Sequence, residues 1–269
     1  MSNSYPNGLA EATPPILGND LRMSGAVWYL DATNGSDDAG WGTDREKPLA
    51  TLAQAQTNAS DNDVIVCLDG HAETLTAVLA LTKILTIIGE GGTTGSPSVI
   101  FTLDNGSNAS LFTIGVARFG FHNIQFATNS QTNTAARISV AGAGFWMNGC
   151  YFDCSGTDTG AGLSLGSGAD DACIEDTYFV SSATAIATQP SSGLKVAAAV
   201  SNLKLNGNVF SDGTAGFSTG YALHASTAAI TGLRGANNSL LLGASATIHA
   251  STVGYLGIGA KTGSPRVVF

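Results

Sequence analysis

Four short segments of the chain align with one another without gaps: FGFHNIQF at residues 119–126, FWMNGCYF at 145–152, ACIEDTYF at 172–179 and LKLNGNVF at 203–210. Successive units begin 26, 27 and 31 residues apart. In each unit the first and third residues are apolar, which is the alternation of a strand with one buried face. A polar residue and then Asn, Gly or Asp follow, which favour a bend, and Phe closes the unit. We therefore predict an interior core column made of Phe126, Phe152, Phe179 and Phe210.

Further alternating runs lie between and beyond these units: SLFTI at 110–114, ARISV at 136–140, GLSL at 162–165, YALHA at 221–225 and ATIHA at 246–250. The first three recur at about the same interval as the closing phenylalanines. Two or three short strands per period, without helical segments between them, are typical of one coil of a parallel β-solenoid. One coil cannot bury its apolar column alone, so successive coils stack at the strand spacing of about 4.8 Å. The predicted fold class is therefore all-β, a parallel β-helix.

The segment that enters this solenoid has its own pattern. It reads YLDATNGSDDAGWGTDREKPLATLAQAQ at 29–56, followed by DVIVCLDGHAET at 63–74 and LTIIGEGG at 85–92. Together with the repeat, it resembles the right-handed parallel β-helix proteins of the pectin-lyase-like superfamily, over roughly residues 28–269. The resemblance implies a strand, a Gly/Asp loop, a helix begun by proline and then the first coil.

This resemblance implies a β-helix domain at residues 28–269, with a short N-terminal capping helix near 48–59. Pro48 suits the first turn of that helix. Residues 1–27 are polar and contain three prolines, and we predict an extended N-terminal arm there. The arm is either a frayed terminus or a segment that becomes ordered when it docks on a partner. The expected apolar face of the helix consists of Leu49, Leu52, Ala53, Ala55 and Gln56.

Composition excludes several classes of protein. Only 12% of the residues are charged, which disfavours an amphipathic helical protein. The net charge is −9 and the eleven Lys and Arg residues form no basic cluster, so no nucleic-acid partner is expected. No apolar stretch approaches eighteen residues and no secretory signal pattern opens the chain, so we expect no membrane partner. Four cysteines without Cys-x-x-Cys spacing do not indicate a disulfide scaffold.

Motifs that carry catalytic or metal chemistry are incomplete. Ser164 lies in a G-x-S-x-G pattern at 162–166, but no helical pattern follows it, so we interpret the segment as a strand. Cys150 and Cys154 are four residues apart and have no nearby histidine, whereas zinc needs four converging ligands. We therefore predict no catalytic residue, no cofactor and no metal site.

The carboxylates also form no complete catalytic pattern. In a polysaccharide lyase or hydrolase of this fold, paired acids would have to occupy one repeat column on neighbouring coils. The column of Glu175 instead contains His122, Asn148 and Asn206. Two interpretations stay open for the acids of this region, solvated turn residues or ligands gathered around one Ca²⁺ ion. These acids are Asp153, Asp158, Asp170, Asp171, Glu175 and Asp176.

One outward column contains aromatic residues. Tyr151 aligns with Tyr178 in the position before the closing Phe, and Trp146 lies nearby in the repeat. We predict an aromatic contact surface formed by Tyr151, Tyr178 and Trp146, suited to stacking on sugars or on a neighbouring protein. The alternative is structural stacking within the wall, because aromatic pairs on adjacent strands stabilise sheets in any case.

The resemblance also bears on function, because entry segments of this kind are frequent in phage-encoded structural proteins. It implies a structural bacteriophage virion protein: a capsid decoration or cement protein or a spike subunit, made in the host cytoplasm and located on the virion surface. Its expected partners are itself and the major capsid protein or another virion protein. The alternative is a β-helix protein that degrades or binds polysaccharide, in the manner of the lyases and hydrolases. The absence of stacked acids favours the first interpretation.

The C-terminal end predicts self-assembly. Solenoids need polar caps, yet Tyr255, Leu256, Ile258 and the closing Val-Val-Phe place apolar groups there. We expect a homotrimer of parallel solenoids, whose C-terminal segment is covered by a neighbour or folds back over the last coil, while the arm docks on another partner such as a capsid shell. The predicted assembly contacts are Pro14, Pro15, Ile16, Leu17, Val267, Val268 and Phe269.

Overall fold

A computed structural model describes residues 25–104, 110–128, 135–153, 160–180, 192–211, 223–225, 230–241 and 266–268. These ranges contain one helix, α1 (Leu52–Asn58), and otherwise short strands. The earlier strands are β1 (Val27–Leu30), β2 (Asp63–Cys67), β3 (Ala72–Leu75), β4 (Leu79–Leu81), β5 (Leu85–Gly89), β6 (Ile100–Leu103), β7 (Phe112–Ile114), β8 (Gly120–His122), β9 (Gln125–Thr128), β10 (Ile138–Val140), β11 (Trp146–Asn148) and β12 (Tyr151–Asp153). The later strands are β13 (Leu163–Leu165), β14 (Cys173–Glu175), β15 (Tyr178–Val180), β16 (Leu194–Val196), β17 (Val200–Ser201), β18 (Lys204–Asn206), β19 (Val209–Ser211), β20 (Leu223–Ala225), β21 (Ile230–Thr231), β22 (Arg234–Ala236), β23 (Ser239–Leu241) and β24 (Arg266–Val268).

The strands form three main sheets that the chain visits in the same order on every coil. Sheet 1 has the order β1-β2-β5-β8-β11-β14-β18-β22, sheet 2 has β3-β6-β9-β12-β15-β19-β23-β24, and sheet 3 has β4-β7-β10-β13-β16-β20. A small fourth sheet pairs β17 with β21. Neighbouring strands are parallel except at β24. The predicted all-β parallel solenoid is therefore confirmed.

A tight corner joins sheet 1 to sheet 2, and its first residue has a left-handed backbone on five coils. The φ angles are 53° at Asn123, 65° at Gly149, 48° at Asp176, 66° at Gly207 and 60° at Asn237. Only Gly, Asn and Asp adopt this conformation at small cost. The alternation of Asn, Gly and Asp in the repeat is thus explained by the dihedral angle that a two-residue corner needs.

On the last two of these coils the second corner residue is an asparagine, which satisfies backbone groups of the preceding coil. Asn208 Oδ1 accepts a hydrogen bond from the Thr177 amide at 3.0 Å, and Asn238 Oδ1 accepts one from the Asn208 amide at 3.0 Å. Asn208 Nδ2 donates to the Ile174 carbonyl at 2.8 Å. Both asparagines are fully buried. This asparagine ladder ties successive coils together where the chain turns and the sheets cannot pair.

The aligned phenylalanines stack inside sheet 2. Phe152 lies opposite Phe179 and Phe179 opposite Phe210, with ring centroids 4.8 and 4.9 Å apart and interplanar angles of 9° and 6°. Phe126 continues the stack at 5.0 Å from Phe152. All four are completely buried. The column also extends to Phe101, which is in register with Phe126 but lies outside the four aligned units.

Two glycines face this stack where the chain enters sheet 3. A Cβ atom at Gly193 would lie 2.8 Å from Phe179 Cβ and 3.0 Å from Phe210 Cδ1. A Cβ atom at Gly162 would lie 2.8 Å from the Gly193 carbonyl oxygen and 3.2 Å from Phe179 Cδ1. The phenylalanine side chains, and at Gly162 also the backbone of the next coil, therefore occupy the space that a side chain would need.

The N-terminal helix lies within the predicted range, but the predicted start at Pro48 is wrong. Leu49 forms a parallel bridge with Leu30 of β1, so this part of the chain is extended rather than helical. Thr51 is the N-cap, and its side chain accepts a hydrogen bond from the Gln54 amide. The helix contributes Leu52 and Ala55 to the same core as the solenoid. Because Leu49 pairs with β1, the helix begins only after Thr51.

The two ends of the solenoid are closed differently. At the first coil, the Gln56 side-chain amide donates to the Ala80 carbonyl at 2.9 Å and accepts from the Thr82 amide at 3.3 Å, as a neighbouring strand would. At the last described coil, β24 pairs antiparallel with β23, with Val267 opposite Leu240. Residues 266–268 thus fold back onto the last coil, one of the two arrangements expected from the sequence.

Candidate binding surfaces

The tyrosine pair lies on the outer face of sheet 2. Tyr151 and Tyr178 are in register on β12 and β15, with ring centroids 6.4 Å apart and an interplanar angle of 23°. Both are partly buried. A Cβ atom at Gly95 would lie 3.1 Å from Tyr178 Cζ, so the tip of the loop after β5 packs on this ring. Tyr178 is thereby engaged within the chain.

That loop is a small hairpin anchored on three sides. Thr93 and Ser96 exchange backbone hydrogen bonds of 3.0 and 2.7 Å at its tip. At its base, Asn123 Nδ2 donates to the carbonyls of Gly89 and Gly91 at 2.9 and 2.7 Å. The Glu90 carboxylate forms a two-pronged ion pair with Arg45. These contacts fix the hairpin over the corner between sheets 1 and 2.

Trp146 lies on a different face from the tyrosines. It points outward from β11 in sheet 1, across the corner from Tyr151. Its neighbour in register on β8 is Gly120, where the indole occupies the position that a Cβ atom would take. The structure therefore brings Tyr151 and Tyr178 together and places Trp146 apart from them, half-buried against the backbone of the preceding coil.

A ladder of polar side chains runs beside Trp146 on sheet 1. His122, Asn148, Glu175 and Asn206 occupy one register column on successive strands. Burial lowers the pKa of His122 from its ordinary 6.5, although hydrogen bonds with Asn148 oppose that shift. His122 is therefore neutral at pH 7 and can donate or accept a hydrogen bond, but it is not a fixed cation.

The charged part of this face is internally paired. Lys204 Nζ donates to Glu175 Oε1 at 2.5 Å, and this contact raises the pKa of Lys204. Burial, followed by the negative charge of Glu175, raises the pKa of the nearby Cys173 thiol to about 11. Cys173 is accordingly protonated at neutral pH and a poor nucleophile. This group of residues has the electrostatics of a surface ion pair rather than of an activated nucleophile.

The acids near sheet 1 have separate structural roles. Asp170 Oδ1 accepts hydrogen bonds from the Ser201 amide at 2.6 Å and from the Ser201 hydroxyl at 2.8 Å. Asp171, whose φ is 57°, accepts from Asn202 Nδ2 at 2.9 Å. Within the described ranges, no three His, Cys, Asp or Glu side chains come together as metal ligands, and Asp158 lies outside those ranges.

Ser164 is the central residue of β13, and its neighbours Leu163 and Leu165 are buried. It lies between Ser139 and Lys195 in register on sheet 3, without a strand-to-helix elbow. A shallow groove of about 420 Å³ lies along this face, and its lining includes Thr113, Ser139 and Ile114. This is the geometry of a flat sheet surface.

The buried pair of His71 and Glu73 near the first coil was not predicted from the sequence. His71 is fully buried, and its Nδ1 accepts a hydrogen bond from the Ala32 amide at 2.9 Å. Its Nε2 lies 3.5 Å from Glu73 Oε2, which accepts from the Leu52 amide at 2.9 Å. The pair joins the entry loop, β3 and the start of α1. Its burial indicates a structural role, and its only sequence signal is the Asp-Gly-His turn.

Several predicted contact residues cannot be placed. Pro14, Pro15, Ile16, Leu17 and Phe269 lie outside the described residues. Val267 and Val268 belong to β24. The predicted arm at 1–27 is described only from residue 25 onward.

Comparisons with known proteins add no assignment, since no family model, curated protein or solved structure matches the chain. In the described part of the chain, no helix has both the length and the apolar character needed to cross a membrane.

Proposed function

We propose that the chain is a structural protein of a bacteriophage virion, a capsid decoration or cement protein or a spike subunit. In this proposal its solenoid is a right-handed β-helix of the pectin-lyase-like kind, and it assembles as a parallel homotrimer on the particle surface. The entry segment at 29–92 supports the kinship, because it is this stretch that resembles phage-encoded structural proteins.

The observation that carries the proposal is that side chains capable of catalysis are bound to other groups of the solenoid wall or lie within a strand. Glu175 is paired with Lys204, Asp170 is bound to Ser201, and Ser164 lies in mid-strand. Each of these groups contributes to the wall of the solenoid instead of converging on a common point, which a catalytic site would require. A scaffold whose polar side chains form hydrogen bonds and ion pairs within its own wall suits a structural role.

The test is peptide mass spectrometry on phage particles purified by density gradient from a lysate that expresses the chain. The proposal expects its peptides in the particle fraction, at a copy number comparable with that of other capsid-surface proteins. It also expects brief protease treatment of intact particles to release them. Recovery of the chain only in the soluble lysate would contradict the proposal, and an abundant host protein serves as the control for carry-over.

A second candidate is polysaccharide binding, favoured by the position of Trp146. Its half-buried indole lies beside the column of His122, Asn148 and Asn206, which combines an aromatic face with hydrogen-bonding groups. Titration of host-surface polysaccharide should then quench tryptophan fluorescence in the intact protein and not in Trp146→Ala. A Tyr178→Ala variant should behave as the intact protein does.

A further inference from the structure

Charge is distributed unevenly along the solenoid axis. Because the coils stack in sequence order, position along the chain is also position along the axis. The described residues 25–104 contain three basic side chains, Arg45, Lys47 and Lys83, against eleven acidic ones: Asp31, Asp37, Asp38, Asp44, Glu46, Asp61, Asp63, Asp69, Glu73, Glu90 and Asp104. The described residues from 192 onward include four basic residues, Lys195, Lys204, Arg234 and Arg266, and no acidic ones. One end is therefore acidic and the other basic.

The basic end presents its cations outward. Lys204 and Arg234 are in register on β18 and β22, and both are exposed. Lys195 lies on the same coil as Lys204, on the outer face of β16. Glu175, on the preceding coil, neutralises only Lys204. Like charges directly opposite each other destabilise a sheet, so an acidic surface placed against this end would relieve their repulsion.

The acidic end offers such a surface. Asp37, Asp38, Asp44 and Glu46 are exposed in the loop between β1 and α1, and Asp61 is exposed just before β2. The arginine of that loop, Arg45, is already held by Glu90. The loop therefore carries negative charge that its own neighbours do not cancel.

We propose that the basic end of one molecule binds the acidic end of a second copy, head to tail. The contact is made by side-chain charge and not by continued strand pairing, because backbone groups at the acidic end are already used. Along the edge of β1, the Tyr29 amide donates to the Gly42 carbonyl and the Tyr29 carbonyl accepts from the Leu49 amide. Gln56 occupies the edge of β4. The association is accordingly weak, reversible and sensitive to salt. It uses charged side chains near the two ends of the solenoid and does not depend on the proposed virion role.

Sedimentation velocity of the full chain over a concentration series at about 10 mM and about 500 mM salt tests this contact, because the Debye length falls from about 30 Å to a few ångströms over that range. The intact protein should associate in low salt and lose that association in high salt. Lys204→Glu/Arg234→Glu should weaken the association by about 3- to 10-fold. Arg118→Glu, at an exposed position midway along the axis, leaves both ends intact and should associate as before, whereas the single variant Arg234→Glu, which changes the net charge equally, should weaken association.

A mixing experiment fixes the direction of the contact. Asp44→Lys/Glu46→Lys makes the acidic end basic, so this variant should associate poorly alone. Mixed with Lys204→Glu/Arg234→Glu, it should restore association, because each variant then presents an end complementary to the other. Circular dichroism establishes that each variant is folded. Association that is insensitive to salt, a loss in Arg118→Glu equal to that in Arg234→Glu, or a mixture no better than its components would each overturn the proposal.

Discussion

Two aromatic stacks run along the same strands and face opposite ways. Inside sheet 2, Phe152 and Phe179 lie 4.8 Å apart and almost parallel. Outside it, the adjacent residues Tyr151 and Tyr178 lie 6.4 Å apart and tilted by 23°. The inner rings are completely buried and pack against Gly162 and Gly193, just before two strands of sheet 3. The outer rings are only partly covered. The difference indicates that the inner column contributes more to stability than the outer pair does.

Outside the phenylalanine stack itself, breaking the asparagine ladder on the inner side should have the largest effect on stability. Asn208→Leu leaves the amide of Thr177 and the carbonyl of Ile174 without their partner inside the corner. We expect a loss of roughly 2–3 kcal/mol in the free energy of unfolding, measured by urea denaturation. Asn206→Leu, two residues away on the outer face, is the matched control and should cost much less.

The repeat and its inward phenylalanines were accessible from sequence because burial on one face imposes a strict alternation. The fifth unit, LRGANNSL at 233–240, could not be recognised from the sequence, because Leu240 replaces the closing Phe. The asparagine ladder could not be foreseen either, since Cys150 and Thr177 occupy its position on other coils and conceal the column. The separation of Trp146 from Tyr151 depends on a corner between them, which spacing alone does not orient.

Filling the space beside the inner stack should destabilise the protein less than loss of the asparagine ladder does. Gly193→Ala places a methyl group 2.8 Å from Phe179 Cβ, so the ring or the backbone must shift. We expect about 1–2 kcal/mol of destabilisation, read from thermal or urea unfolding. Gly115→Ala is the control, because a Cβ atom there meets nothing within 4 Å. Equal behaviour of the two variants would show that the inner stack is looser than described.

The buried carboxylate of Asp63 should make the stability of the fold depend on pH. Burial alone would raise the pKa of Asp63, but hydrogen bonds from Ser60, Trp28 and Ala26 leave it below its ordinary 3.8. A lowered pKa in the folded state stabilises the protein above the unfolded value near 3.9, and this stability is lost as the pH falls through the folded value. Asp63→Asn should therefore be about 1 kcal/mol less stable at pH 7, a gap that closes below about pH 4. Asp38→Asn, at an exposed position, is the control and should be nearly as stable as the intact protein at pH 7.

The smallest effect concerns the outer face of sheet 1. With its pKa raised to about 11, Cys173 should react slowly with iodoacetamide at pH 8. Glu175→Gln removes a neighbouring negative charge and should accelerate alkylation severalfold, measured by mass spectrometry of the labelled peptide. Asp176→Asn, the next residue along the chain, should leave the rate nearly unchanged. Faster alkylation of the intact protein than of Glu175→Gln would contradict the described electrostatics.

The most direct test of the division between inner and outer stacks is urea denaturation of Phe179→Ala and Tyr178→Ala, measured together with the intact protein. Adjacent residues on one strand share the same backbone, so only the direction of the side chain differs. We predict that Phe179→Ala loses about 3–5 kcal/mol and that Tyr178→Ala loses about 1 kcal/mol or less. Equal losses, or a larger loss for Tyr178→Ala, would contradict the account.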